Sequence, residues 1–434
     1  MITEYWEKIK TSVFNPLLRS IREEDSKGSV WFTISTGLKA FVQMVTSLIV
    51  IRMVLPEELG IWKSVVLIQA YISILQFGVI EGLNRQYALY RGAGKDDIAR
   101  ERAHLAFTFI LFVSLLSGLI VLIIAGVSWS SGSNDKTLIA LLLFTLQALA
   151  VPLSNYYDTL YRSGQLFSTL GWIQFGESVF LIGSLLLVYF WGWLGMFIRY
   201  AAIFPVGLLL RYYFRPHTSR IMINWKSLIN LSKIGLKVLF SNYLFNLIMV
   251  ADITLIAAFL GQEQLGIYSI AITVGGAYIF LPTAVNNIVF SRMAYRVGQS
   301  NNAASLRRLA FLPELYIAVI LLIPTVILWF AMEPIITWAL PKYIGGITSA
   351  KWMVVAGYIR GLNSSSRVFR ALNRMKEYIF ILIGALVLMY ILGWLGIRQA
   401  ETIESVAKVK LVVIVFLTLG INIASYQMVK PANS

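Results

Sequence analysis

From residue 30 onward, long apolar runs alternate with short polar intervals. An α-helix rises 1.5 Å per residue, so crossing a hydrocarbon core about 30 Å thick takes about 20 apolar residues. Runs of that length lie at about 30–53, 63–83, 104–127, 137–160, 168–190, 194–214, 235–260, 267–290, 310–331, 349–372, 377–395 and 407–428. The pattern predicts twelve spans, which must be helical because the bilayer core offers no water to satisfy backbone groups. The tenth run is the least regular, its second half being polar. Prolines at 152, 205, 282 and 324 fall inside runs and favour kinks.

A short motif occurs twice. Pro56 to Trp62 reads P-E-E-L-G-I-W and Gly261 to Tyr268 reads G-Q-E-Q-L-G-I-Y, each between the first and second spans of its half. Aligning Gly60 with Gly266 gives an offset of 206 residues, which also superposes Glu57 on Glu263, Leu59 on Leu265, Ile61 on Ile267 and Arg102 on Arg308. Six spans per half is an even number, so the halves run in the same direction, related by an axis along the membrane normal. The expected organisation is a surface helix over 1–29, a six-helix lobe over 30–214, a linker over 215–234, a second six-helix lobe over 235–428 and a tail over 429–434. In the first segment Trp6, Ile9, Val13, Leu17 and Ile21 recur at near-helical spacing, while Pro16 threatens the turn.

Composition agrees with the pattern. Hydrophobic residues make up 58% and charged residues 13% of the chain, with a mean hydropathy of +0.73; soluble proteins carry about a quarter charged residues. The net charge of +16 would suggest nucleic acid in a soluble protein, but here most Lys and Arg sit in short loops. With the N-terminus inside, 27 of the 37 Lys and Arg fall on the inner side and nine on the outer, with Lys39 inside the first span. That bias places both termini in the cytoplasm. The absence of cysteine excludes disulfides and thiol chemistry. Acidic residues from Glu4 to Asp25 exclude an N-terminal signal peptide.

Enzyme motifs fail. Gly92-Ala93-Gly94-Lys95 resembles a phosphate loop, but Leu89 and Asp96 stand where a Gly and a Ser or Thr are needed. His104 and His217 lie in or beside separate loops, with no second His at metal-ligand spacing. No cofactor and no catalytic residue are expected.

The chain resembles the polysaccharide-transport branch of the multidrug/oligosaccharidyl-lipid/polysaccharide exporter superfamily, which contains the O-antigen flippases. The resemblance is carried by six plus six spans, R-M-V-L-P-E-E-L-G-I-W (Arg52 to Trp62), F-G-V-I-E-G-L-N-R (Phe77 to Arg85) with the basic loop after it, and Ala251-Asp252 followed by L-G-Q-E-Q-L-G-I-Y. It implies two lobes that open alternately and carry an undecaprenyl-diphosphate-linked oligosaccharide to the outer leaflet of the bacterial inner membrane, for O-antigen, capsule or exopolysaccharide. The resemblance does not settle which ion, if any, drives transport; proton or sodium coupling and polysaccharide polymerase partners are expectations.

Charges within spans are the candidate chemistry, because an ionised side chain near the bilayer centre costs about 2.5–3.5 kcal/mol without a partner or water. Asp252 and Glu177 read either as proton or cation sites or as carboxyls held by helix-to-helix hydrogen bonds. Arg360, Asn363, Ser364, Arg367 and Arg374 form one stripe at helical spacing. It reads either as a diphosphate site, since the guanidinium fork pairs with phosphate oxygens, or as the positive flank of a span ending near Leu362. Lys39, deep in the first span, reads as a cavity-facing cation. Glu81 with Arg85, and Asp158 with Arg162, are each four residues apart on one helical face; they read as local ion pairs, and secondarily as an inner gate. The all-α, twelve-span reading leads to a flippase whose Lys39, Arg360, Asn363 and Arg367 hold the substrate. The alternatives are a cation-coupled multidrug exporter, which would prefer an anionic cavity, and a membrane glycosyltransferase or polymerase, which would usually need a large external loop.

Overall fold

The computed structural model describes residues 26–278, 282, 293, 306–372 and 374–430. The surface helix expected before Ser26, the inner half of the eighth span, most of the basic loop after it, and the tail beyond residue 430 lie outside the described residues.

Fourteen α-helices are described: α1 Ser26–Met53, α2 Pro56–Ile72, α3 Val79–Gly92, α4 Asp96–Ser130, α5 Asp135–Ser163, α6 Phe167–Gly183, α7 Leu185–Tyr213, α8 Trp225–Phe259, α9 Gly261–Ala277, α10 Arg307–Ala339, α11 Ile347–Gly361, α12 Ser366–Ala371, α13 Met375–Ala400 and α14 Ile403–Val429. Among the described residues nine helices are long and apolar enough to cross a membrane. The second span, counted among these as Pro56–Gln76, and the fifth and tenth are interrupted. The second is α2 plus α3, joined through a 3-10 turn and the left-handed Phe77-Gly78 pair. The fifth runs from α6 to Trp191 and reverses at Gly192 (φ 54°). The tenth is α11 plus α12.

The two lobes pair their helices alike. In the first, α1 packs on α6, α4 on α5, and α7 on both α5 and α6; in the second, α8 packs on α13, α10 on α11, and α14 on both α11 and α13. Two six-helix lobes related by a parallel repeat are therefore present. The α1–α6 pair is parallel and in constant register, with Thr36 on Gln174 and Lys39 on Glu177.

The repeated motif forms the seam between the lobes. Pro56 opens α2 at a position where its missing N–H costs nothing, and the Glu58 carboxylate accepts the Leu55 N–H at 3.0 Å. Leu59, Ile61 and Trp62 are buried. Gly60 lies against α9: a Cβ there would overlap the Gln262 carbonyl, and one at Gly266 would overlap the Pro56 carbonyl. The two contacts are the same contact seen from each repeat, because Pro56 and Gln262 are also 206 residues apart. A second close approach joins α3 to α8, where Cβ atoms at Gly82 and Gly235 would overlap the Leu231 and Gly78 carbonyls. By contrast, α1 barely touches α9.

The apolar core repeats this asymmetry. One continuous cluster joins Val50 and Trp62 in the first lobe to Leu265 and Tyr343 in the second at the Pro56 end, and extends through the second lobe to Phe369 and Ile421. Toward the opposite end the core divides, one part around Leu83 and Tyr161 and another around Leu306 and Val368. Among the described residues the shared core lies at the end expected to face outward, while toward the other end the lobes meet through α3 and α8.

Candidate functional site

Each lobe contains a polar cavity among its helices. The first-lobe cavity, about 280 Å³, is lined by Lys39, Lys63, Asp158, Glu177 and Arg211, with Trp62 and Tyr200 on its wall. Trp62 stacks between Phe197 and Tyr200, at 5.5 and 5.8 Å between ring centres. Glu177 takes Lys39 Nζ at 2.6 Å on one oxygen and an Arg211 guanidinium nitrogen on the other. Arg211 also binds Asp158 at 2.7 Å through Nε, and its backbone carbonyl accepts the Tyr161 hydroxyl at 2.9 Å. Lys39, Glu177, Arg211 and Asp158 thus form one chain of charges across α1, α6, α7 and α5. Lys63 joins the cavity without an ion pair or hydrogen bond among the described residues.

The second-lobe cavity, about 410 Å³, is lined by Arg360, Asn363, Arg367 and Arg370, with Asn242, Phe245 and Tyr378, and with no carboxylate among the described residues. Arg360 sits over the Phe245 ring at 5.6 Å. Arg370 donates to Asn242 Oδ1 at 2.7 Å, and Asn363 donates to Thr418 at 3.3 Å. The Arg367 Nε is buried without a partner. Phe245 stands 206 residues after Lys39, so the repeat places an aromatic ring in one cavity where the other has a lysine.

These arginines reach one cavity because the tenth span breaks. Helix α11 ends at Gly361, α12 begins at Ser366, and the residues between offer backbone groups to side chains of other helices. The Glu314 carboxylate accepts the Ser365 N–H at 2.6 Å, Asn422 donates to the Leu362 carbonyl at 3.3 Å, and Ser425 donates to the Ser365 carbonyl at 3.0 Å. Broken backbone inside a bilayer is tolerated only with such partners or along a cavity. The single helical stripe expected from Arg360 to Arg374 is accordingly divided. Ser364 is buried away from that cavity's lining, and Arg374 is exposed and paired with Glu377 at 2.6 Å.

Asp252 lies outside both cavities. One oxygen binds Lys410 Nζ at 2.8 Å and the other accepts the Tyr268 hydroxyl at 2.9 Å, all three groups being buried. Lys410 also donates to the Ile248 and Met249 carbonyls at 2.8 Å. The first lobe has a counterpart: Arg199 reaches from α7 to Thr46 on α1 at 2.7 Å, and Thr46 is 206 residues before Asp252.

Several expected pairings differ. Asp158 binds Arg211 rather than Arg162, because the neighbouring helix supplies a nearer cation than the next turn does. Glu81 forms no ion pair with Arg85 among the described residues, and one of its oxygens is buried without a hydrogen bond. Lys63, Arg199 and Lys410, expected among the outer-side charges, lie within the bundle. Hydropathy does not distinguish a lysine at a helix end from one held by a distant partner. His104 and His217, expected apart, meet edge to face at 5.7 Å. Burial and the nearby Arg100 and Arg91 hold the His217 imidazole below its ordinary pKa. The described residues hold no group of three His, Cys, Asp or Glu that could take a metal.

Residues 49–342 match the family described as polysaccharide biosynthesis protein. No curated protein shows significant sequence similarity. Among solved structures the chain is similar to an inward-facing multidrug resistance MATE family transporter of the MOP superfamily, with a TM-score of 0.70 at 12% identity, covering 91% of this chain and 96% of that one. It is also similar to a MOP superfamily transporter from Pyrococcus furiosus Vc1 (DSM3638), described as having a binding pocket of reverse polarity that suggests a different function; the TM-score is 0.64 at 13% identity, covering 94% and 97%. An outward-facing MATE family transporter gives 0.62 at 14% identity, covering 94% and 95%.

Proposed function

The chain belongs to the polysaccharide biosynthesis protein family, in the polysaccharide-transport branch of the multidrug/oligosaccharidyl-lipid/polysaccharide exporter superfamily, and from that premise we propose that it flips an undecaprenyl-diphosphate-linked oligosaccharide from the cytoplasmic to the outer leaflet of the bacterial inner membrane. The observation that carries this reading is the second-lobe cavity, with three arginines and no carboxylate among its described lining residues. A diphosphate offers several oxygens to guanidinium forks, which bind it by paired charge-assisted hydrogen bonds and do not deprotonate. Such a cavity rejects a cationic drug by simple repulsion, which disfavours the multidrug exporter.

The diphosphate docks on Arg360 and Arg367 with Asn363 beside it, the sugars fill the cleft between the lobes, and the lipid tail stays in the bilayer on the side where α1 and α9 diverge. Lys39 lines the first-lobe cavity, where the substrate competes with Glu177 for it. With the Pro56 end outward, the fused core there closes the outer side, and separation of the lobes at the other end admits substrate from the cytoplasm. Asp158 serves the inner gate through Arg211, with Arg162, Glu81 and Arg85 at the same end. Asp252 and Glu177 are candidates for proton or sodium coupling, although a cation exchanging at either has an internal ion pair to displace. Polysaccharide polymerases are the expected partners.

Reconstitution tests the proposal. Proteoliposomes carrying an undecaprenyl-diphosphate-linked oligosaccharide should move it between leaflets, read by loss of protection from periodate or a lectin, and Arg360→Gln should slow the movement. Transport of a cationic drug but not of the lipid-linked sugar would overturn it.

A further inference from the structure

Of the buried carboxylates in the bundle, Glu177, Asp252 and Glu58 each hold a lysine or arginine. Glu314 does not. It lies in α10, only 8% exposed, and pairs with no cation among the described residues. The polar groups facing it are those of the broken tenth span and of α14: Ser365 donates its N–H at 2.6 Å, the Ser365 hydroxyl meets Asn422 Oδ1 at 2.7 Å, and Ser364 adjoins them with its hydroxyl unpartnered. Within α10 the nearest described charged side chains are Arg308 on the N-terminal side, almost two turns away, and Glu333 on the other, more than five turns away. From α11 and α12, Arg360 and Arg367 line the other cavity.

Glu314 faces a mostly apolar space of its own. It lines a separate cavity of about 460 Å³ between α10, α11 and α14, together with Leu362, Thr418 and Asn422. Ile359 and Leu362 face this cavity, while Arg360, Gly361 and Asn363 face the arginine cavity. The break is therefore a shared wall, with an acid unpaired by any described cation on one side and the anion site on the other.

We propose that Glu314 is a proton-exchange site coupled to the anion site through the break at Leu362 to Ser365. This rests on the flippase reading for the identity of the anion. An ionised carboxylate makes a charge-assisted bond to the Ser365 N–H, and a protonated one makes a weaker bond. Ionised Glu314 thus holds the break in the geometry that presents Arg360 and Arg367, and protonation releases it. A proton fits better than a metal cation, because the Ser365 and Asn422 oxygens are already engaged with each other rather than converging on a void. Protonation then discharges substrate, as proton–substrate antiport requires.

The test is binding of undecaprenyl diphosphate to the purified full chain, across about two units of pH spanning neutrality, for the wild type, E314Q and E314D. As pH is lowered, wild-type affinity should fall by about tenfold more than that of E314Q, the loss expected when anion binding and the uptake of one proton each weaken the other about tenfold. The slope that E314Q retains is that of the ligand's own phosphates. E314Q should bind weakly throughout, and E314D should restore part of the dependence. Equal slopes for wild type and E314Q overturn the proposal, as does tight, pH-independent binding by E314Q. If the wild type binds undecaprenyl diphosphate at no pH, the flippase reading fails; inorganic diphosphate then serves as the probe, and the same comparison of slopes decides the role of Glu314.

Discussion

Charged side chains in a low-dielectric bundle are judged by their partners. Asp252 is held by Lys410 and Tyr268 within the second lobe. Removing one member of a buried pair strands the other, at a cost of about 3–5 kcal/mol, whereas replacing both by apolar residues is often neutral. Asp252→Asn should therefore lower thermal stability in detergent more than the double change Asp252→Leu with Lys410→Met does. Equal destabilisation by both would show that the ion pair itself is required. For the substrate cations, Lys39→Gln and Arg360→Gln should each reduce transport by at least about tenfold, equivalent to about 1.4 kcal/mol, at unchanged protein abundance; normal transport by both would remove the cavity chemistry. The depth of Asp252, Glu177 and Lys39 was legible because charge interrupts an apolar run. Their partners were not, since Lys410 is 158 residues from Asp252 and Glu177 is 138 from Lys39. Glu314 went unread for a related reason: its role depends on a backbone break in another span.

At the scale of elements, the repeated motif marked a position but not its use. The sequence placed it as a turn between spans, while the structure makes it the seam of the lobes. Gly60→Ala should force α2 and α9 apart at a cost of about 1–3 kcal/mol, as overpacking does, and Gly266→Ala should do the same from the other side. Gly37→Ala is the contrast, since nothing lies within 4 Å of its Cβ position on α1; alanine there should be neutral or stabilise by about 0.5–1 kcal/mol through helix propensity. Thermal unfolding in detergent distinguishes the two kinds of site, and a tolerant Gly60 would mean the seam is loose. The tenth span shows the limit of periodicity. Spacings of three, four and seven put Arg360, Asn363 and Arg367 on one face, and all three do share a cavity. They do so across a broken helix, whose stop at Gly361 depends on Glu314, Asn422 and Ser425 from elsewhere.

For the whole molecule, twelve crossings and two lobes follow from run length and the 206-residue offset, but the conformational state does not. It is set by where apolar surface from both lobes meets: among the described residues one core joins the lobes at the Pro56 end, and separate smaller cores lie toward the other. Alternating access requires that the fused end part while the other end closes, with the α3–α8 approach at Gly82 and Gly235 as a contact kept between the lobes. The chain has no cysteine, so a single engineered pair reports cleanly. Glu57 and Glu263 are exposed in the first turns of the two facing helices. Cysteines at these positions, joined by a flexible disulfide-containing bismaleimide, should tie the lobes in the observed state and stop transport of the lipid-linked oligosaccharide. Reductive cleavage of the linker should restore transport, and each single-cysteine control should be insensitive to the reagent. Undiminished transport by the fully cross-linked protein would mean that the seam at Gly60 and Gly266 stays shut throughout the cycle. Substrate would then have to leave by a path that does not separate the lobes there.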